Sequence, residues 1–159
     1  MADLSAEHWF VLGMRYKKAS RVAEEMTSSG LECFVPPKIS NMLFVHTGRE
    51  ALDDFLHFRE TGQQLYYQYS RIDKQPIIVP DAEMDCFIKL CDSSELPLVF
   101  PEAPKVKLGD RVKVVDGPLK GLEGNVVRIR KQKRVLINVG NVVWAATEYI
   151  RPEMLEIVK

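Results

Sequence analysis

Leu108-Gly109-Asp110-Arg111-Val112-Lys113-Val114-Val115-Asp116-Gly117-Pro118-Leu119-Lys120-Gly121-Leu122-Glu123-Gly124-Asn125-Val126-Val127 decides how the C-terminal part of the chain is built. Val112 and Val114 alternate with charged residues, so one side of a strand is apolar and the other wet. Asp116-Gly117-Pro118 turns the chain, and Gly121 and Gly124 permit a tight return into a second strand around Val126.

The same pattern continues downstream. Arg111–Val115, Val126–Arg130, Val135–Val139, Val142–Ala146 and Leu155–Val158 read as five short strands. Gly140-Asn141 fits a two-residue hairpin connection. Five short strands in residues 105–159 are too few for a sandwich, so a small barrel that closes its own edges is expected.

Upstream, residues 92–104 hold three prolines and two serines and read as a linker. The prolines interrupt any helix or central strand, yet Leu96, Leu98, Val99 and Phe100 call for cover. Residues 1–91 alternate between the two periodicities. Strands are expected at His8–Met14, Glu32–Val35, Met42–His46, Leu65–Tyr69 and Ile77–Val79. Helices are expected at Lys18–Ser28, which Gly30 stops, after Thr47, and from Pro80-Asp81 onward. Thr47-Gly48-Arg49-Glu50 has the form of a capping box, with Thr47 as the cap. The order predicts an α+β fold with helices on a largely antiparallel sheet, followed by the barrel.

Composition narrows the function. The chain has 159 residues with 46% apolar and 28% charged residues, which excludes a disordered polyelectrolyte. No apolar run approaches the roughly 20 residues of a membrane span, and the N-terminus shows no secretory pattern. Three cysteines (Cys33, Cys86, Cys91) without a Cys-x-x-Cys pair, and three scattered histidines, give neither a disulfide framework nor a zinc spacing. A cytoplasmic monomer without metal or cofactor is expected. Cys33, His46, His57 and Asp53 are the groups a small enzyme would use, but their spacing matches no nucleophile–base arrangement, so no enzymatic activity is expected.

The net charge is zero, from 22 basic and 22 acidic residues. Split at the linker, residues 1–104 carry ten Lys/Arg against sixteen Asp/Glu, and residues 105–159 carry twelve against six. The basic excess gathers at Arg128, Arg130, Lys131, Lys133 and Arg134, on a strand end and the hairpin after it. Such a cluster suits phosphate, and it equally suits a solvated hairpin tip. No aromatic lies inside it in sequence, which leaves base stacking there unsupported.

The stretch quoted first closely resembles the KOW motif of SH3-like barrels in transcription elongation factors and some ribosomal proteins. Gly109, Asp116, Gly117, Pro118, Gly121 and Gly124 carry that likeness. His8-Trp9-Phe10-Val11-Leu12, Cys33-Phe34-Val35-Pro36 and Pro76-Ile77-Ile78-Val79-Pro80-Asp81-Ala82-Glu83-Met84 resemble segments of the NusG N-terminal (NGN) domain. The order of α+β domain (1–91), Pro-rich linker (92–104) and KOW barrel (105–159) is that of NusG. Ile39-Ser40-Asn41-Met42-Leu43-Phe44-Val45 departs from the family's usual Phe-Pro-Gly-Tyr. Together with the shortened basic loop at Pro37-Lys38, this is more similar to the UpxY-type paralogues of Bacteroides, antiterminators of surface-polysaccharide operons.

The resemblance implies a transcription antitermination or elongation factor. Its first domain would grip the β′ clamp helices of RNA polymerase through Tyr16, Met42, Phe44, and Tyr66 or Tyr67. Strand alternation puts Met42 and Phe44 on one face, so they are expected to share one environment. Arg15, Lys17 and Lys18 would face upstream or non-template DNA. The barrel would recruit a ribosomal protein, a termination factor or nascent RNA. The alternative is a KOW-type RNA-binding protein acting on the ribosome.

Overall fold

A computed structural model describes residues 6–15, 18–58, 64–93 and 98–158. Among these residues the chain is mixed α+β, with two antiparallel sheets and three helices. It divides into two compact units, 1–81 and 82–159.

The first unit is built on β1 (Glu7–Met14), whose neighbours set its two faces. β3 (Met42–Gly48) pairs with β1 from Glu7↔Gly48 to Gly13↔Met42. β2 (Glu32–Phe34) adds to β3, while β4 (Leu65–Tyr67) and β5 (Ile78–Val79) flank β1 on its other side. Directly paired residues share a face. Phe10, Leu12, Leu43, Val45, Leu65 and Tyr67 therefore lie on one side, where a core forms with Ala19, Val22 and Met26 of α1 (Ala19–Ser28) and Leu52 and Phe55 of α2 (Arg49–Phe58). Trp9, Val11, Phe44 and Val79 lie on the other face and are also buried.

The helix boundaries show which local signals prevail. At the end of α1, Gly30 takes φ +87°, with Gly30 N–H donating to the Thr27 carbonyl and Leu31 N–H to the Met26 carbonyl. That is the Schellman ending which glycine permits. At the start of α2 the capping-box reading is corrected. Thr47 is buried inside β3 opposite His8, so the residue preceding the helix is Gly48. The strand ladder, which satisfies the backbone at Thr47, outweighs the local capping preference.

α3 (Asp81–Ser93) begins at the boundary and lies, from Ala82 on, in the second unit; its Met84, Phe87 and Leu90 are wholly buried. The sheet of this unit runs β11-β7-β8-β9-β10-β6. In chain order these strands are β6 (Leu98–Phe100), β7 (Arg111–Val114), β8 (Glu123–Ile129), β9 (Gln132–Val139), β10 (Val143–Ala146) and β11 (Leu155–Ile157). Five answer to the strands expected from the pattern. The sixth, β6, comes from the Pro-rich stretch and, among the described residues, pairs with β10 alone. An edge strand tolerates flanking prolines because one row of its amides needs no ladder partner.

Val135, Leu136 and Ile137 are consecutive and all buried, so both faces of β9 are covered. On one face Leu136, Val127 and Ala146 pack with Leu98, Phe100, Val106, Ile129 and Trp144. α3 is tied to the sheet by two polar contacts. Gly140 N–H donates to Glu83 Oε1 at 2.8 Å, and Lys89 Nζ donates to the Lys120 carbonyl. Both acceptors and donors on the sheet side belong to turns at one end, those joining β7 to β8 and β9 to β10. The β8–β9 hairpin lies at the opposite end, as alternate connections of an antiparallel meander must.

This division changes the charge contrast. Residues 1–81 carry nine basic and eleven acidic residues, and 82–159 carry thirteen and eleven. The acidic residues Glu83, Asp85 and Asp92 of α3 sit in the same unit as the basic hairpin.

Candidate nucleic-acid interface

The turn between β7 and β8 is held by short-range bonds. Gly117 N–H donates to Asp116 Oδ1 at 2.8 Å, Lys120 N–H to the Gly117 carbonyl and Gly121 N–H to the Val114 carbonyl. Gly117 and Gly121 have φ of +86° and +96°, where a side chain is strained. Gly124 answers a different need: a Cβ there would collide with the Leu136 carbonyl of β9. The glycines singled out in the sequence thus shape the frame.

The β8–β9 hairpin is built otherwise. Its ladder runs to Ile129↔Gln132, leaving Arg130-Lys131 as the two-residue connection. Both have positive φ, 52° and 67°, the geometry of a type I′ turn. Arg128 and Lys133 face each other directly across the ladder, and both are exposed. Like charges directly opposed repel. Four cations therefore crowd one exposed tip.

Arg134 differs from these four. It is half-buried, with Nη1 donating to the Thr147 carbonyl at 2.9 Å and Nη2 to Gln132 Oε1 at 3.0 Å. Its Nε is buried without a partner. Its guanidinium is committed to the fold, which corrects its place among the phosphate-binding candidates.

The clasp has a further effect. Val135 N–H donates to Thr147 Oγ1, Thr147 N–H to the Val135 carbonyl, and Ile150 N–H to the Lys133 carbonyl at 3.4 Å. Residues 147–150 are thereby laid along the base of the hairpin. Tyr149, in that segment, is 52% exposed. Local sequence gives no signal for this neighbour, because the link runs through a side chain thirteen residues away.

The other candidate residues are dispersed. Tyr16 and Lys17 lie outside the described residues; Arg15 and Lys18 are exposed between β1 and α1. Met42 and Tyr66 align across Gly13 on one face of the first sheet. The Tyr66 ring passes 2.6 Å from where a Cβ on Gly13 would stand, so the missing side chain is what lets it lie against β1. Tyr66 is half exposed and Met42 half-buried.

Phe44 shares Met42's face but is wholly buried, so the expectation of one environment for both is corrected. The cause is position: Phe44 lies further along β3, flanked by Val11 and Phe34, while Met42 begins the strand. Tyr67 is corrected as well. It lies on the opposite face in the core, its hydroxyl donating to Asp53 Oδ1 at 2.6 Å beneath the Arg49 guanidinium. Burial, then the Asp53 carboxylate, pushes its ionisation above the ordinary tyrosine range.

Among the groups considered for catalysis, Cys33 and His46 project from opposite faces of the first sheet. Burial raises the Cys33 thiol, which disfavours the thiolate a nucleophile needs. His46 stacks on Trp9 and lies 3.7 Å from Glu7, while Asp53 is engaged by Arg49 and Tyr67.

Compared with known families, residues 108–138 match the KOW motif. The match covers the β7–β8 turn, the basic hairpin and nearly all of β9. It places the motif in the C-terminal β unit and is consistent with a NusG-like protein or one associated with RNA or the ribosome. No curated protein matches the chain. Among the described residues, no helix is long and apolar enough to cross a membrane.

Proposed function

We propose that this protein is a NusG-like transcription elongation or antitermination factor without enzymatic activity, working in the cytoplasm as a monomer. The observation that carries the reading is the succession, in one chain, of an antiparallel α+β unit and a KOW-bearing β unit. The first unit binds the clamp helices of RNA polymerase and opposes pausing; the second recruits a further partner. The departures at Ile39–Val45 favour a specialised factor serving long operons such as surface-polysaccharide loci.

Met42 and Tyr66 are the surface residues best suited to the polymerase contact. They share a face and offer a polarizable thioether beside an aromatic ring. The NGN character of the first unit and its grip on polymerase are tested together by affinity capture from lysate. The wild-type chain should retain polymerase subunits, and a folded Met42→Asp/Tyr66→Ala variant should retain about tenfold less. Equal retention by the two rejects the proposed face.

A second reading is a KOW-type RNA-binding protein of the ribosome, favoured by the exposed cations of the β8–β9 hairpin. Co-sedimentation with ribosomes and no capture of polymerase would select it.

A further inference from the structure

We infer that the β8–β9 hairpin and Tyr149 together form a binding platform for single-stranded nucleic acid, with Tyr149 as its stacking residue. Arg128, Arg130, Lys131 and Lys133 hold phosphates, and the Tyr149 ring takes a base. This deepens the nucleic-acid side of the proposed function and rests on it, but is independent of the polymerase contact.

Three observations converge on this tip. The first is the turn. A type I′ connection favours Asn-Gly or similar residues, because both central positions need positive φ. This chain places Arg130 and Lys131 there, and each long side chain is strained in the left-handed region. The second is the directly opposed, exposed pair Arg128↔Lys133, which repels in the absence of an anion. Neither choice is explained by folding. Local rules broken without a structural return mark a functional site. A polyanion supplies the return by neutralising the repulsion.

The third observation is Tyr149. Sequence alone gives the basic cluster no aromatic, and charge alone cannot distinguish a strand from a duplex. The Arg134–Thr147 clasp and the Ile150–Lys133 hydrogen bond lay a half-exposed tyrosine beside the cations. A groove of cations with an adjacent ring is the composition that binds unpaired strands, since every base has a face to stack while duplex bases are covered. Glu148, next to Tyr149, is exposed and acidic, and Arg151 is exposed on its other side. Arg134 acts as a positioning residue by fixing the segment that carries the tyrosine.

Fluorescence anisotropy on the full chain tests the platform, using labelled oligouridine and oligothymidine about twelve nucleotides long and a duplex of the same length. Both single strands should bind more tightly than the duplex; a difference between the two identifies RNA or DNA as the source of the strand. Tyr149→Ala should weaken binding about tenfold, and Tyr149→Phe should restore it. The double variant R130N/K131G, which suits the turn better, should weaken binding about tenfold. It should also flatten the slope of log affinity against log salt by about 1.4, for two lost phosphate contacts. Its thermal midpoint should not fall, so lost binding cannot be ascribed to unfolding.

The inference is overturned if the folded wild-type chain binds no single strand, if the duplex binds as tightly, or if Tyr149→Ala leaves affinity unchanged. Polymerase capture with R130N/K131G separates the two proposals: retention of polymerase alongside lost oligonucleotide binding implicates the platform alone.

Discussion

The second sheet contains two tight hairpin connections in which consecutive residues take positive φ. Gly140 and Asn141 have positive φ, but Val139 pairs with Val143, so β9 and β10 are joined by three residues, 140–142, which corrects the two-residue reading; Arg130-Lys131 joins β8 to β9 through two residues of positive φ. The first uses residues that enter the left-handed region at low cost, and its Gly140 amide is held by Glu83 of α3. The second uses two long cations and stands exposed. The same left-handed φ met with opposite chemistry separates what the fold needs from what it merely tolerates. The Gly140-Asn141 end is a structural joint; the Arg130-Lys131 end carries a cost that only a partner relieves.

The comparison can be broken most severely at the frame both turns share. Gly124→Ala forces a methyl group into the Leu136 carbonyl and should destabilise the second unit by about 3 kcal/mol, read by chemical denaturation. Exchanging the chemistry of the turns should act next. Gly140→Arg should cost about 1 kcal/mol, whereas R130N/K131G should stabilise by a similar amount, seen as thermal midpoints moving in opposite directions. If both exchanges destabilise equally, the hairpin cations serve the fold and the contrast fails. The smallest effect belongs to Glu83→Gln. It keeps an acceptor for Gly140 N–H but removes its charge, and should cost about 0.5 kcal/mol. Amide exchange at Gly140 should quicken while exchange at Lys131 stays unchanged.

Much of this architecture is legible in the order of the amino acids. Alternation at Val112 and Val114, the turn glycines and the helical spacing of Ala19, Val22 and Met26 place most elements within a few residues. The failures share a cause, which is information that lives outside the local window. Thr47 has every local feature of a cap, but the ladder to His8 claims it. Leu98–Phe100 reads as linker because its partner, β10, follows more than forty residues later. Tyr67 reads as surface beside Tyr66, although alternate strand positions face opposite ways and only one of the pair could be exposed. Tyr149 is silent in sequence because an arginine fifteen residues away, by holding Thr147, brings it to the hairpin.

The placement of α3 has an electrical consequence. Glu83, Asp85 and Asp92 lie on the helix tethered at one end of the second sheet, and Arg128, Arg130, Lys131 and Lys133 crowd the other. The C-terminal unit is therefore a dipole within a chain of zero net charge. With thirteen basic against eleven acidic residues the unit is drawn only weakly from afar toward a polyanion, and screening limits its interaction to about 8 Å at physiological salt. Within that distance it experiences a torque. The encounter rate stays close to that of ordinary diffusion, but this unit turns before it lands, cationic tip first and helix trailing.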